Sequence, residues 1–242
     1  MKRDSQLRRP LRDVKVAITG GTSGLGLALL RQLADAGASV AFVARDAARV
    51  ARIAGDLPGT HGFPGDVAEK DDIYPLATAI AGALGGLDVL INNASDLGPV
   101  PLALLADTDC EDLERALATN LIGPFRLTKA LLGALAASAR EGRGGLVVNI
   151  SSDAAVTPYP GWGAYGASKA ALHHLSRIWN LELVEAGIQF LSHDPGDMDT
   201  PLHAAAVPEA DPAMLKSPDD AARELIAAIE AALPRPSVVL VS

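Results

Sequence analysis

The stretch VKVAITGGTSGLG, residues 14–26, decides how this chain folds. Residues 14–19 are, apart from Lys15, mostly apolar and rich in β-branched side chains, which predicts a buried strand that ends at the glycines. A helical pattern follows from Leu25 to Ala36, and Gly37 ends it. A glycine-rich turn lets the backbone approach a phosphate group closely, and the helix after it offers free N–H groups and a positive dipole end. The stretch therefore predicts a phosphate-binding turn.

The glycines of this turn have the spacing G-x-x-x-G-x-G rather than the better-known G-x-G-x-x-G. A glycine-rich turn without a ligand is the structural alternative. The strand before the turn and the βαβ pattern beyond it favour the pyrophosphate end of a dinucleotide site. The residues expected to hold that group are Gly20, Thr22, Ser23, Gly24, Leu25 and Gly26.

From this turn onward, short apolar runs alternate with longer helical patterns. The later strands are predicted at residues 39–44, 61–63, 87–92, 145–150, 188–192 and 237–241. One long helix is predicted at residues 110–140, with a bend near Gly123-Pro124. Strands that are apolar on both faces are typical of a parallel sheet covered by helices on both sides. We expect an α/β fold with one doubly wound, Rossmann-like sheet of about seven strands.

Composition and charge narrow the class of protein. The 242 residues are 49% hydrophobic, which suits one large core, and we expect a single domain over residues 13–242 after a disordered or frayed tail at 1–12. The formal net charge of −8 argues against nucleic acid as a partner. No apolar run reaches the ~18 residues of a membrane helix. Cys110 is the only cysteine, which excludes a cysteine-rich metal site and fits a cytoplasmic location.

The end of the second predicted strand bears on cofactor choice, and it reads Val43-Ala44-Arg45-Asp46. In dinucleotide-binding sheets an acidic residue at this point binds the ribose hydroxyls of NAD, whereas an arginine pairs with the 2′-phosphate of NADP. Arg45 therefore favours NADP(H). Asp46 keeps NAD(H) as an alternative, although it also suits the N-cap of the next helix.

Tyr165 and Lys169 lie four residues apart in a predicted helix, so their side chains share one helix face. A cation beside a phenol favours the phenolate, and we expect Lys169 to lower the pKa of Tyr165 so that it can exchange protons near neutral pH. An exposed helix pair without a chemical role is the alternative reading of this spacing alone.

Several motifs follow one another along the chain: Gly20/Gly24/Gly26, Asn92-Asn93-Ala94, Asn120, Ser152 and Tyr165/Lys169. In this order they resemble the short-chain dehydrogenase/reductase family, over nearly the whole length from about Asp13. Ser152 precedes Tyr165 by thirteen residues, which is the usual interval in that family.

The resemblance implies a role for each of four catalytic residues. Tyr165 would donate a proton to a carbonyl or take one from an alcohol, and Ser152 would hold the substrate oxygen. Lys169 would lower the pKa of Tyr165 and bind the nicotinamide ribose. Asn120 would help to keep a water molecule beside Lys169. Two donors aimed at the substrate oxygen would stabilise the negative charge that hydride transfer builds there.

The resemblance also implies further cofactor contacts. They are Asp66, Val67, Asn93, Ala94, Pro195, Gly196 and Thr200, beside Arg45, Tyr165 and Lys169. A helix N-cap is the alternative for Asp66, and a buried amide that satisfies backbone groups is the alternative for Asn93. The chain departs from the family at Ser95, because the motif of the fourth strand usually ends in glycine there.

The substrate should lie beyond the carboxyl ends of the strands, as ligands do in open α/β sheets. Residues 197–216 resemble the mobile substrate lid of the family. The candidate substrate contacts are Asp153, Tyr159, Trp162, His193, Met198 and Leu202. A structural histidine is the alternative for His193.

The function that the resemblance implies is NAD(P)(H)-dependent interconversion of a ketone or aldehyde and an alcohol. The partners are then a small-molecule substrate and further copies of the chain, as a dimer or tetramer. Two alternatives stay open: a non-catalytic dinucleotide-binding sensor or scaffold, and an isomerase or epimerase that uses the same Tyr165/Lys169 pair.

Overall fold

The computed structural model describes residues 11–234, and this part of the chain holds one sheet of six parallel strands. The strands are β1 (Lys15–Thr19), β2 (Ser39–Ala44), β3 (Thr60–Pro64), β4 (Val89–Asn92), β5 (Leu146–Ile150) and β6 (Gln189–His193). Their order is β3-β2-β1-β4-β5-β6, so the direction of winding reverses between β1 and β4. The strand predicted at 237–241 and most of the predicted tail at 1–12 lie outside the described residues.

Eight α-helices cover both faces of the sheet within the described range, which confirms the doubly wound α/β fold. They are α1 (Gly24–Asp35), α2 (Ala47–Asp56), α3 (Lys70–Leu84), α4 (Cys110–Leu117), α5 (Gly123–Arg140), α6 (Gly163–Glu182), α7 (Pro201–Ala206) and α8 (Pro218–Ala232). Among residues 11–234, no helix is long and apolar enough to cross a membrane.

Alternate residues of each strand pack against opposite helical layers. Val16 and Ile18 of β1 are buried with α1, α2 and α8, whereas Ala17 between them is buried with α3 and α5. Since both faces are covered, the strand cannot show the apolar–polar alternation of a half-exposed strand. The same two layers hold the carboxyl ends of β1 and β4 in place, where the crevice of the sheet opens.

The helix predicted over residues 110–140 is interrupted. A π-helical turn, Ala118–Ile122, separates α4 from α5, directly before the bend that was predicted near Gly123-Pro124. Gly123 then packs against the chain after β3, where an added Cβ would lie 2.6 Å from the carbonyl oxygen of Val67. Turns of this kind recur at functional sites, and this one carries Asn120, which is only 1% exposed.

Two helix starts differ in how well the sequence predicts them. Asp46 is the N-cap of α2, as expected, and its carboxylate accepts a hydrogen bond from the Arg49 N–H at 3.0 Å. Helix α7 lies inside residues 197–218, which have no clean helical period. It spans only six residues, and Thr200 caps it by accepting a hydrogen bond from the His203 N–H at 3.2 Å.

Candidate active site

A cavity of about 880 Å³ lies at the carboxyl ends of the strands, between the glycine turn and the loops that follow β4, β5 and β6. All the site residues predicted from the sequence line this cavity except Gly26, Asn120 and His193. Three parts of the chain far apart in sequence therefore meet there: the glycine turn, the Ser152 to Lys169 segment and the predicted lid.

Two glycines give the turn its backbone conformation and its close packing on α1. Gly20 has a φ of +70°, which favours glycine. Gly26 lets α1 pack tightly on the turn, because a Cβ there would lie 2.2 Å from the carbonyl oxygen of Gly20. Ser23 occupies the N-cap position of α1 without a side-chain capping bond, so its hydroxyl does not compete for the first-turn N–H groups. The positive end of the helix dipole faces the cavity at this point.

The loop after β4 is tied to the glycine turn. The Asn93 amide donates to the carbonyl oxygens of Thr19 and Gly20, at 2.9 and 3.2 Å. The Thr19 hydroxyl accepts from the N–H groups of Asn93 and Ala94, both at 3.0 Å. The Asn93 amide therefore satisfies backbone groups, as the structural alternative predicts. The residue also lines the cavity.

Two arginines stand at the far end of the cavity, beside the carboxyl end of β2. Arg45 lies 3.9 Å from the carboxylate of Asp66 and keeps 75% of its side chain exposed. Arg49, in the first turn of α2, also lines the cavity, and the sequence reasoning missed it. Asp66 does not cap α3, whose N-cap is Glu69; its carboxylate accepts from the Ala68 N–H at 2.9 Å instead.

Tyr165 and Lys169 lie in the wall of the cavity. They are 8% and 2% exposed, so the alternative of an exposed helix pair is wrong. The Lys169 ammonium donates to the carbonyl oxygen of Ile150 at 2.8 Å, and it lies 5.5 Å from the centre of the Tyr165 ring. Trp162 packs edge-on against the same ring, with the centroids 5.7 Å apart. These contacts fix both side chains relative to the end of β5.

Burial governs the protonation of this pair. It raises the pKa of Tyr165 to about 12, although the hydroxyls of Ser152 and Ser95 act to lower it. The lowered pKa expected for Tyr165 is therefore not found in the chain by itself, because the lost hydration of the phenolate outweighs the effect of these two hydroxyls. Burial also lowers the pKa of Lys169 to about 8.

Ser152 belongs to a short hydrogen-bonded chain on the substrate side. Its hydroxyl donates to one oxygen of Asp153 at 3.0 Å and accepts from the Ala154 N–H at 3.2 Å. The Tyr159 hydroxyl donates to the other oxygen of Asp153 at 2.8 Å. The hydrogen bond from Tyr159, helped by that from Ser152, holds the pKa of Asp153 below its usual value. An ionised carboxylate thus lies beside Ser152.

Asn120 lies behind the cavity wall. Its amide nitrogen donates to the carbonyl oxygen of Asp96 at 2.7 Å and to the Ser168 hydroxyl at 2.8 Å. Its amide oxygen accepts from the Asp96 N–H at 2.8 Å. The side chain therefore joins the loop after β4 to α6, and its hydrogen bonds go to protein groups.

His193 points away from the cavity. It follows Leu191 on the same face of β6, and Leu191 packs on the layer that contains α8. Burial lowers the pKa of His193, while the charges of Asp194 and Glu224 act to raise it. The strand extends one residue further than predicted, so this side chain belongs to the sheet rather than to the loop beyond it.

The predicted lid begins and ends at one short parallel bridge. Met198 pairs with Lys216, and the Asp199 N–H donates to the Lys216 carbonyl oxygen at 3.0 Å. The Lys216 ammonium donates to the carbonyl oxygen of Pro195 at 3.1 Å and to the Glu224 carboxylate at 2.7 Å. Met198 at the first of these ends and Leu202 beyond it both line the cavity.

The comparison with known proteins decides the family. A family profile described as short chain dehydrogenase matches residues 15–211. The chain belongs to the short-chain dehydrogenase family. An uncharacterized oxidoreductase of Mycobacterium tuberculosis (strain ATCC 25618 / H37Rv) is 34% identical over 194 residues, which cover 77% of this chain and 55% of that protein. The chain thus spans about half the length of these mycobacterial relatives.

Solved structures of the short-chain dehydrogenase family share the fold. A 3-ketoacyl-(acyl-carrier-protein) reductase from Brucella melitensis, complexed with NADH, is 25% identical with a TM-score of 0.84, over 93% of this chain and 95% of that one. An NADPH-bound carbonyl reductase from chicken fatty liver is 25% identical with a TM-score of 0.79, over 90% and 91% of the two chains.

Proposed function

We propose that this protein is an NAD(P)(H)-dependent oxidoreductase that interconverts a ketone or aldehyde with an alcohol. The observation that carries the proposal is the joint position of Ser152, Tyr165 and Lys169 in the wall of one cavity that begins at a phosphate-binding turn. Related structures hold NADH or NADPH. We assign the four catalytic roles to Asn120, Ser152, Tyr165 and Lys169.

The residues of the cavity fit a dinucleotide. Gly20 and Gly24 line the cavity without side chains, so the backbone of the turn is open to a phosphate, and the free N-terminus of α1 suits the pyrophosphate. Lys169, Pro195 and Gly196 would hold the nicotinamide end, and Thr200 would close over it. When bound, the cofactor supplies or accepts the hydride.

The chain itself handles the proton and the charge. Tyr165 gives its phenolic proton to the substrate oxygen during reduction and takes one during oxidation. Lys169, buried beside the ring, stabilises the phenolate that results, since an opposite charge favours the ionised form. Ser152 holds the substrate oxygen. A positioned proton donor contributes a factor of ~10²–10⁴ in rate.

We further propose a preference for NADPH over NADH, with Arg45 and Arg49 at the 2′-phosphate. An exposed charge pair contributes about 1 kcal/mol, which is about fivefold in affinity. Arg45→Gln should therefore raise the KM for NADPH about fivefold and leave that for NADH unchanged. Arg52→Gln is the matched control, because Arg52 is an exposed arginine of α2, the helix that begins just after Arg45, and it does not line the cavity. A strong preference for NADH in the unaltered protein would overturn this assignment.

The reaction is tested by incubating the protein with a panel of ketones, aldehydes and alcohols and following the absorbance of the reduced nicotinamide. We expect net oxidation of NADPH with at least one carbonyl compound. Cofactor binding with no turnover across the panel would favour a sensor or scaffold. Conversion of a substrate without net change in the cofactor would favour an isomerase or epimerase.

We also propose that the protein acts in the cytoplasm as a homo-oligomer, a dimer or tetramer. The support for an oligomer is an apolar surface groove between α5 and α6, where Ile122, Phe125 and Ile178 are each more than a third exposed. Light scattering should give the mass of two or four chains. Phe125→Glu should shift the mass toward one chain if this groove forms the contact.

A further inference from the structure

Ser95 occupies the position in the loop after β4 where the sequence departs from its family. The loop is held on both sides of it, because the Thr19 hydroxyl accepts from the Ala94 N–H before Ser95 and several groups bind Asp96 after it. Asn120 binds both backbone groups of Asp96, and the Arg115 guanidinium pairs with the Asp96 carboxylate at 3.3 Å. The Ser95 side chain therefore has a fixed place in the cavity wall.

The Ser95 hydroxyl is buried and has no hydrogen-bond partner among residues 11–234. A buried polar group without a partner costs free energy, so the presence of the Ser95 hydroxyl at this place calls for an explanation. The same hydroxyl is close enough to the Tyr165 phenol to act on its pKa. It shares the cavity wall with Ser152 and Tyr165.

The Ser152 hydroxyl is already engaged in two hydrogen bonds of its own. Its proton is directed to Asp153, and one lone pair accepts from the Ala154 N–H. A hydroxyl has only one proton to donate. While the bond to Asp153 persists, the Ser152 proton is not shared with the phenolic oxygen of Tyr165, and it turns to the substrate oxygen only when that bond is exchanged. Within the described part of the chain, the Ser95 hydroxyl proton has no such acceptor.

We propose that Ser95 is a further catalytic residue, whose hydroxyl donates a hydrogen bond to the oxygen of Tyr165 once Tyr165 has given up its proton. The inference rests on the proposed function. When Tyr165 passes its proton to the substrate oxygen, the phenolate left behind accepts this hydrogen bond, and Ser95 keeps its own proton. The bond favours the ionised Tyr165, so it lowers the pH at which Tyr165 can accept a proton from an alcohol.

The test is the pH profile of kcat/KM for oxidation of the panel alcohol that reacts fastest, in Ser95→Ala and Ser95→Thr. In the oxidation direction activity rises with pH as Tyr165 ionises, and the positive charge of the bound oxidised nicotinamide brings this ionisation well below the pKa of about 12 that burial gives the residue in the protein by itself. Ser95→Ala should move that rise about one pH unit higher, which is about a tenfold loss at any pH on the rising limb. Ser95→Thr keeps the hydroxyl and should leave the profile near that of the unaltered protein. NADPH binding, followed by fluorescence, should be the same in all three.

Three results would overturn the inference. They are a profile that does not move in Ser95→Ala, an equal loss at every pH, and an Ala variant that matches the Thr variant. An equal loss at every pH would place the hydroxyl on the substrate or cofactor instead. Tyr165→Phe separates the two proposals: if it keeps full turnover, the proposed function fails, whereas an unmoved Ser95→Ala profile with an inactive Tyr165→Phe removes only the role of Ser95.

Discussion

Replacement of Lys169 by methionine should make the protein more stable and less active at once. The Lys169 side chain is 2% exposed, and burial lowers its pKa from 10.5 to about 8. At ~1.4 kcal/mol per pH unit, this lowering of the Lys169 pKa corresponds to about 3 kcal/mol. The unfolded state therefore holds the proton more tightly than the folded state, and the charged lysine destabilises the fold at neutral pH.

Methionine has nearly the same volume and no charge, so it removes this penalty. It also leaves the Ile150 carbonyl oxygen without the hydrogen bond it accepts from Lys169, at a cost of about 1–2 kcal/mol. The net expectation for Lys169→Met is a gain of about 1–2 kcal/mol at pH 7. For a chain of this size that raises Tm by ~2–8 °C.

The dependence on pH gives the sharper test. The unaltered protein gains stability as pH rises from about 8 towards 10.5, because only the unfolded lysine stays charged there. The advantage of Lys169→Met should be full below pH 8 and shrink above it. Urea unfolding of both proteins from pH 6.5 to 10, without added cofactor, measures the difference. A variant less stable than the parent at pH 7 would refute the view that Lys169 is held charged at a desolvated site.

Two further substitutions test how the site is supported. Asn120→Ala leaves both backbone groups of Asp96 without their partner. From the cost of unpaired buried groups, we expect it to lower the free energy of unfolding, measured in urea, by about 2–4 kcal/mol. A loss below about 0.5 kcal/mol would contradict this. Lys216→Met should change Tm little, since Lys216 is partly exposed, but raise the substrate KM several-fold by releasing the end of the lid from Pro195 and Glu224. An unchanged KM would remove Lys216 as the anchor of the lid.

The sequence predicts the sheet well because most of its strands are short, largely apolar and bounded by glycines or polar turns; β3, with the sequence THGFP, is the exception. It predicts the long helix less well. The break at Ala118–Ile122 depends on the packing of Gly123 against Val67, which is a contact between distant parts of the chain. Helix α7 is too short to produce a periodic pattern, and only Thr200-Pro201 marks its start.

For the site, the sequence predicts which residues meet but not how they ionise. The spacing of Tyr165 and Lys169 places both on one helix face, yet it carries no information on their burial, which sets both pKa values. The direction of His193 depends on where β6 ends, and one extra strand residue turns it toward α8. The free hydroxyl of Ser95 is visible only once its surroundings are known.

The central claim is that Tyr165 moves the proton in a nicotinamide-dependent reaction, and Tyr165→Phe tests it most directly. Tyr74→Phe is the control, because Tyr74 is 71% exposed and does not line the cavity. The measurement is kcat for the best carbonyl substrate together with the Kd for NADPH. We expect Tyr165→Phe to lose ~10²–10⁴ in kcat with an unchanged Kd, while Tyr74→Phe matches the parent protein. Near-normal turnover by Tyr165→Phe would contradict the account.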